Sequence, residues 1–234
     1  MKGIVHRGLL AVAPVLLGIG CRAERVTQPP LGSVVSSASV GPAAATAVQG
    51  TVWAWGDNAA GSLGNGTNTK SNTPVEASGL TGVTALAGGF LHSLALKSDG
   101  TVWAWGDNFA GELGNGTQTN SNAPVQVLGP GGVGSLTGVT ALAVGGANSH
   151  SLALKNDGTV WAWGYNGLGQ LGNGTNTNSN TPVAVSNLAG VAAIAGGADH
   201  SLALKSDGTV WAWGPTPVAS WATRPTPAAT RLWR

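Results

Sequence analysis

Large apolar residues alternate with alanine in short stretches along the middle of this chain. Residues 94–97 (LALK) and 101–105 (TVWAW) flank the turn-forming sequence Ser-Asp-Gly, and alternation of this kind is typical of strands. The Asp-Gly pair favours a hairpin with a two-residue type I′ turn. The predicted pairs are Leu96 with Trp103, Ala95 with Ala104 and Leu94 with Trp105. We therefore expect a sheet with bulky leucine and tryptophan side chains on one face and small alanine side chains on the other.

The hairpin belongs to a unit that recurs after 50, 58 and 50 residues. The sequence TVWAWG stands at 51–56, 101–106, 159–164 and 209–214, and HSLALK stands at 92–97, 150–155 and 200–205. Two further strands are predicted in the unit, at 83–87 and, at the sheet edge where proline is tolerated, around 74–77. Four short strands per unit make a blade, and radial repetition of blades builds a β-propeller.

The order of these motifs resembles the repeat of the regulator of chromosome condensation family. The matching features are HSLALK, an Asp-Gly turn, TVWAWG, then N-x-x-G-x-LGNGT and PV, and they cover residues 51–214. The resemblance implies an all-β fold, a β-propeller of four-stranded blades. Three full units and the start of a fourth predict about three blades plus an aborted fourth, which is a partial propeller. Two apolar blade faces then stay open, and we expect self-association through them.

The residues before the repeats, which we assign to 48–214, have the features of an export signal and a linker. Lys2 and Arg7 precede an apolar stretch, so residues 1–21 are predicted to be a secretory signal peptide. The sequence Gly20-Cys21 resembles a bacterial lipoprotein signal, which makes Cys21 a lipidation candidate; Gly18 departs from that signal and fits ordinary cleavage equally well. Residues 22–47 are predicted to be a flexible linker rich in alanine, serine and proline. The expected location is secreted or lipid-anchored in the bacterial cell envelope.

The last 20 residues, 215–234, abandon the repeat pattern directly after Gly214. A shifted reading frame with suitable synonymous codons permits, in their place, a near-copy of the segment that follows TVWAWG in the preceding unit. We therefore interpret residues 215–234 as a frameshift product, and resequencing the locus across codon 214 checks this interpretation.

Composition and charge narrow the classes of function. The chain has 38 glycines, ten tryptophans and one cysteine, so a disulfide framework is excluded. Four lysines, no arginines and eight acidic residues lie between 51 and 214, and the other basic residues lie at the two ends. Because phosphate binding needs clustered lysine and arginine, nucleic acid is not expected as a partner. Glycan-active enzymes are disfavoured because they need arginine and paired carboxylates.

Candidate chemical groups recur once per unit and are assigned structural roles. Three recurring histidines suggest zinc, but equivalent positions on different blades cannot converge on one ion, so each is predicted to bond the backbone of its own blade. The aspartates before glycine are explained by turn chemistry. The residues predicted to be structural are His92, His150, His200, Asp99, Gly100, Trp103, Trp105, Trp161 and Trp163. No catalytic, cofactor or metal site is predicted, and the chain is not expected to be an enzyme.

Loop positions that vary between copies on a constant scaffold are typical of a binding surface. The partner-binding candidates are Asp57, Asp107, Tyr165, Phe90, Leu91, Phe109, Asn148 and Asp199, together with the inserted loop at 129–135. They predict a protein–protein interaction module with an unidentified protein partner. Two alternatives remain open: a guanine-nucleotide exchange factor-like regulator of a small GTPase, which the resemblance implies, and a non-functional gene fragment.

Overall fold

The computed structural model describes residues 50–146 and 149–215. The expectations for the signal peptide with Cys21, for the linker, for Asn148 and for the tail after Pro215 concern residues outside these ranges. No helix within the described ranges is long and apolar enough to cross a membrane.

Short strands dominate the described part of the chain. They are β1 (Trp53–Gly56), β2 (Ser71–Glu76), β3 (Val83–Gly88), β4 (His92–Lys97), β5 (Val102–Gly106), β6 (Ser121–Gln126), β7 (Val139–Val144), β8 (His150–Lys155), β9 (Val160–Gly164), β10 (Ser179–Ala184), β11 (Val191–Gly196), β12 (Ser201–Lys205) and β13 (Val210–Trp213). A 3-10 turn, η1 (Pro130–Gly132), lies in the inserted loop. The strands predicted at 83–87 and around 74–77 correspond to β3 and β2.

The strands form four antiparallel sheets, which we call blades I to IV. Blade I contains β1 and β2, blade II contains β3 to β6, blade III contains β7 to β10, and blade IV contains β11 to β13. Strands that are consecutive in the chain are neighbours in each sheet, as the short connections of this repeat require. The predicted all-β partial propeller is confirmed: two four-stranded blades lie between blades to which the described residues contribute two and three strands.

The hairpin between β4 and β5 differs from the prediction by one residue. Lys97 N–H donates to Thr101 O at 3.0 Å and Gly100 N–H donates to Lys97 O at 2.9 Å, which closes a three-residue loop. Gly100 has a φ of +76°, the left-handed conformation of such a bulged turn. The observed pairs are Leu96 with Val102, Ala95 with Trp103, Leu94 with Ala104 and Ser93 with Trp105. The predicted type I′ turn and its pairing are therefore wrong, and the tryptophans lie on the face of Ala95.

This register gives every blade an aliphatic face and a tryptophan face. The aliphatic face of blade II (Leu94, Leu96, Val102, Ala104) packs on the tryptophan face of blade III (Ala153, Trp161, Trp163). Blade III repeats the contact, with Leu152, Leu154, Val160 and Ala162 packed on Ala203, Trp211 and Trp213 of blade IV. Trp105, Trp163 and Trp213 are 1%, 0% and 3% exposed. The hydrophobic core therefore lies between blades, as blade stacking requires.

Candidate functional site

The loops divide between the two ends of the strands. We call one end the upper loop face, made of residues 57–70, 89–91, 107–120, 145–146, 149, 165–178 and 197–200. The other end is the lower loop face, made of residues 77–82, 98–101, 127–138, 156–159, 185–190 and 206–209. Neighbouring upper loops of one blade are bonded to each other, because Asp107 N–H donates to Leu91 O at 2.9 Å and Tyr165 N–H donates to Ser149 O at 3.0 Å.

A buried asparagine holds each long upper loop in shape. Asn108 is 0% exposed; its Nδ2 donates to Thr117 O at 3.1 Å and to Thr119 O at 3.0 Å, and its Oδ1 accepts from Leu113 N at 2.9 Å. Asn58 and Asn166 make the same bonds in their own loops. The recurring asparagine was part of the repeat motif, yet its anchoring role was not predicted.

Backbone hydrogen bonds tie each of three upper loops to the neighbouring blade. Gly66 N–H donates to Asn122 O at 2.8 Å, Gly116 N–H donates to Asn180 O at 2.9 Å, and Gly146 N–H donates to Gly197 O at 2.9 Å. A surface held by backbone bonds within and between blades is preorganised, which lowers the entropic cost of binding a partner.

Most of the predicted partner-binding residues lie on the upper loop face. Phe90 and Phe109 are 69% and 83% exposed. Asp57 is exposed as well, whereas four further candidates are partly buried: Leu91, Asp107, Tyr165 and Asp199. The inserted loop at 129–135 lies on the lower loop face, where Val133 is 78% exposed. The structure therefore separates this loop from the seven other candidates that it describes, which it brings to one end.

His92 and His150 connect neighbouring blades. Their Nε2 atoms bond to a serine of the next blade and not to the backbone of their own blade. His92 Nε2 lies 3.0 Å from Ser151 Oγ of the next blade, and His150 Nε2 lies 2.8 Å from Ser201 Oγ. Ser151 Oγ in turn donates to Glu112 O at 3.0 Å. The expectation that each histidine bonds the backbone of its own blade is therefore corrected for Nε2 of His92 and His150, because both side chains reach across the blade interface. His200, which has no following blade in the described part, is exposed.

The protonation state of His92 follows from these bonds. Burial, and secondly the nearby His150, lower the pKa of His92 to about 4, so the ring is neutral near pH 7. The single hydroxyl proton of Ser151 is given to Glu112 O, so His92 Nε2 carries the proton and donates it to Ser151 Oγ. His92 Nδ1 accepts no bond. These hydrogen bonds, from His92 to Ser151 and from Ser151 to the Glu112 carbonyl, thus link blades II and III and are buried.

Ser151→Ala is expected to lower the free energy of unfolding by about 1–3 kcal/mol, because it leaves His92 Nε2–H buried without an acceptor. Ser93→Ala is the matched control. Ser93 Oγ donates to Ser62 O at 3.2 Å, and the sequence has a proline fifty residues before His92, so the repeat supplies no histidine for Ser93. This substitution should cost about 1 kcal/mol or less. Urea denaturation measures both, and equal losses would contradict the role of the histidine.

The repeated aspartates lie in the hairpin turns of the lower loop face. Asp99 Oδ1 accepts from Thr101 N at 3.0 Å and from Thr101 Oγ1 at 2.6 Å. These bonds stabilise the charged carboxylate and lower the pKa of Asp99, and the same bonds from Thr209 lower that of Asp207 to about 2. The aspartates therefore cap turns and lie far from the upper loop face.

Glu112 is a buried acid that sequence reasoning missed. It is 4% exposed, and its Oε2 accepts from Ala110 N at 2.8 Å. Burial, opposed in part by backbone bonds and assisted by Asp107, raises the pKa of Glu112 to about 7. Gln170 occupies the same place in the next repeat, and its Oε1 accepts from Leu168 N at 2.9 Å. The sequence carries one sign of this site: at the same repeat position, one copy has glutamate where the next copy has the neutral glutamine.

Comparison with known proteins identifies the repeat. The profile of the regulator of chromosome condensation (RCC1) repeat matches residues 49–96, 99–154 and 157–204. The chain belongs to the RCC1 repeat family. A second RCC1 repeat profile matches residues 83–112 and 139–170. The resemblance of the motifs is therefore confirmed over most of the described residues.

Two solved structures are similar to this RCC1-repeat chain. Human WBSCR16 shares 28% sequence identity at a TM-score of 0.60, over 69% of this chain and 42% of WBSCR16. Prp20p from Saccharomyces cerevisiae shares 24% identity at a TM-score of 0.60, over 70% of this chain and 41% of Prp20p. The chain thus spans less than half the length of either protein.

The described part of the RCC1-repeat chain has features of a surface that binds another molecule. No group of three or more His, Cys, Asp or Glu side chains among the residues described could hold a metal ion. His92 and Glu112, the buried groups whose pKa values are shifted, lie in blade contacts. Phe90 and Phe109 are large aromatic side chains exposed on the upper loop face, and such side chains suit contact with another molecule.

Proposed function

We propose that this chain is a non-catalytic protein-interaction module that binds a partner protein through its upper loop face. One observation carries the proposal: Phe90 and Phe109 are 69% and 83% exposed on the same loop face of the same blade. Large aromatic side chains contribute much of the binding energy of protein interfaces when a partner buries them.

The fold does not need either aromatic ring. Phe109 corresponds to Ala59 and Gly167 in the neighbouring repeats, and Phe90 corresponds to Ala198. The same strands form around these small residues, so the rings add nothing to the core that the repeats share. Exposed apolar side chains that the scaffold can lack are best explained by contact with a partner.

The charge of the upper loop face supports a basic partner surface. Asp57, Asp107 and Asp199 lie on this face, and Lys70 is its only lysine in the described ranges. Acidic residues on the same loop face as exposed aromatic rings complement an apolar surface flanked by lysine or arginine.

The bacterial cell envelope is the proposed location of this module. The proposal rests on the export features of residues 1–21 and on Cys21 as the lipidation candidate. The GTPase-regulator alternative draws on Prp20p, whose structure is described together with its binding to Gsp1p and histones. At 24% identity that likeness contributes the fold alone, and an exported module would not meet a cytosolic GTPase.

A photo-crosslinking amino acid in place of Phe109 tests the binding face. We expect it to capture a protein from cells of the source organism, whereas the same amino acid in place of Val133 should not. Val133 is the matched control, because it is 78% exposed and apolar but lies on the lower loop face.

Competition sharpens this test of the binding face. The unlabelled chain should abolish capture at position 109, and the unlabelled double variant Phe90→Ser/Phe109→Ser should compete about tenfold less well or worse, as expected for two interface aromatics. Capture at position 133 that equals capture at 109, or undiminished competition by the double variant, would count against the proposal.

A further inference from the structure

Glu112 is an anchor within residues 107–114, which we call the Phe109 loop. Its side chain is 4% exposed, and its Oε2 accepts from the backbone N–H of Ala110 at 2.8 Å. Ala110 directly follows Phe109 in the chain, and the ring of Phe109 is 83% exposed. The buried carboxyl group of Glu112 therefore holds the short segment that presents the exposed ring.

The main chain of Glu112 is held separately, by blade III. Its carbonyl oxygen accepts from Trp163 Nε1 at 2.7 Å and from Ser151 Oγ at 3.0 Å. These two bonds do not involve the carboxyl group. A change in the carboxyl group therefore acts on the residues around Phe109 and leaves the bonds to blade III in place.

No lysine or arginine lies beside this carboxyl group in the described part of the chain. The Phe109 loop contains neither, and the blade III segments in contact with it, 149–151, 163–165 and 179–180, contain neither. Asp107, in the same loop, adds a negative charge. A charged Glu112 would consequently be buried without a cation to compensate it.

Two histidines are the titratable groups on the other side of the blade contact. His92 reaches Ser151, which bonds to the Glu112 carbonyl, and the ring of His92 is neutral near pH 7. Gly164 lies between Glu112 and His150, since an added Cβ there would be 3.4 Å and 3.1 Å from their Cα atoms. Neither ring is bonded to the Glu112 carboxyl group through Nε2, because both Nε2 atoms bond to serines.

Loss of the Glu112 proton has a structural cost. Burial, assisted by Asp107, raises the pKa of Glu112 to about 7, so the proton is lost within the physiological range. A carboxylate regains hydration only by turning out of the loop towards water. That movement withdraws the acceptor from Ala110 N–H and frees the segment around Phe109.

The neighbouring copies of this loop carry no acid at the same position. Gln170 Oε1 accepts from Leu168 N–H at 2.9 Å, which is the same bond to the residue two positions earlier. Ser62 Oγ instead donates to Asp57 O at 2.9 Å. Glutamine and serine do not titrate near pH 7. Of the three equivalent loops, the one with an ionisable anchor is the one with the exposed phenylalanine.

We propose that Glu112 is a positioning residue of the upper loop face: with its proton it holds Phe109 in place for a partner protein, and loss of the proton releases the Phe109 loop. The inference rests on the proposed binding function and adds a pH dependence to it. Binding that requires this proton is fully present well below pH 7 and is about tenfold weaker at pH 8.

Hydrogen–deuterium exchange of the full chain alone tests the positioning role without a partner. At pH 8, residues 109–113 of the unaltered chain should exchange about tenfold faster than the same residues of Glu112→Gln, because glutamine keeps the acceptor and carries no charge. At pH 6 the two chains should exchange alike. Comparison at one pH cancels the base catalysis of exchange, which is common to both chains.

Residues 167–171 are the matched control, because they form the equivalent loop with Gln170 as its anchor. They should exchange alike in the unaltered chain and in Glu112→Gln at both pH values. Gln170→Glu should transfer the fast exchange at pH 8 to residues 167–171. Equal exchange of residues 109–113 in the unaltered chain and Glu112→Gln at pH 8 would overturn the proposal, and so would an equally large difference at residues 167–171.

Photo-crosslinking at position 109 separates this role from the binding function. Capture should fall about tenfold from pH 6 to pH 8 in the otherwise unaltered chain and stay constant when Glu112→Gln is also present. An equal fall in both chains would overturn the coupling of Glu112 to binding. Absence of capture from both chains at pH 6 would overturn the proposed function, whereas the exchange experiment decides the positioning role on its own.

Discussion

Trp163→Ala is expected to lower the free energy of unfolding by about 3–5 kcal/mol, the usual loss for a large aromatic side chain removed from a packed core. Trp163 is 0% exposed and packs on the aliphatic face of blade II. Its Nε1–H donates to Glu112 O at 2.7 Å, and this bond is lost with the ring. The substitution therefore removes both the apolar filling and one polar link between blades II and III.

Trp55→Ala is the matched control, because Trp55 holds the same repeat position in blade I but is partly exposed. It should cost about 1–2 kcal/mol, since its ring is already partly in water. Urea denaturation followed by circular dichroism measures both variants. Similar losses at the two positions would show that the tryptophans act within their own blades and that stacking between blades contributes little.

Glu112→Gln is expected to raise the free energy of unfolding above pH 7 by about 1–3 kcal/mol. The pKa of Glu112 rises from 4.5 to about 7 on folding, because burial disfavours its charged form. A raised folded pKa means that its stabilisation is fully present below pH 4.5 and is lost as the pH rises through 7. Glutamine keeps the acceptor for Ala110 N and carries no charge at any pH.

The pH dependence is measured as the difference in unfolding free energy between Glu112→Gln and the unaltered chain from pH 5 to pH 8.5. The difference isolates Glu112 from His92, which titrates in both proteins. Gln170→Glu supplies the converse, since an acid at the equivalent buried position should introduce a new loss of stability above neutral pH. A difference that does not change with pH would contradict a raised pKa for Glu112.

Strand positions and blade order were predictable because their causes are local. Alternating apolar residues at 83–87 and 94–97 indicate strands, and glycine-rich segments separate them. Because the unit repeats, each local prediction applies to every copy. For this reason the all-β partial propeller followed from the sequence alone.

The register of the hairpin was not predictable from the Asp-Gly pair. The side chain of Asp99 bonds to Thr101, which stabilises a three-residue loop in place of the two-residue turn. One added loop residue reverses the face of every side chain on β5, because side chains in a strand alternate between faces. The tryptophans consequently share a face with Ala95, whereas the leucines of β4 lie on the other face of the sheet.

Contacts between blades account for the other differences. The partner of His92 is a serine 59 positions away, and no local pattern identifies it. The upper loop face was partly predictable, because variation between copies pointed to Phe90 and Phe109. The same criterion also selected the loop at 129–135, which the structure places at the opposite end of the blades. Variation finds exposed loops, whereas the end on which they lie follows from strand direction.

Hydrogen–deuterium exchange of the complex with the crosslinked partner tests the central claim most directly. Binding through the upper loop face predicts slower exchange at residues 89–91 and 107–112, around Phe90 and Phe109, with no change at 129–135. Protection confined to 129–135 or to the hairpin turns at 98–101 would show that the partner binds the opposite end of the blades, and would contradict the account.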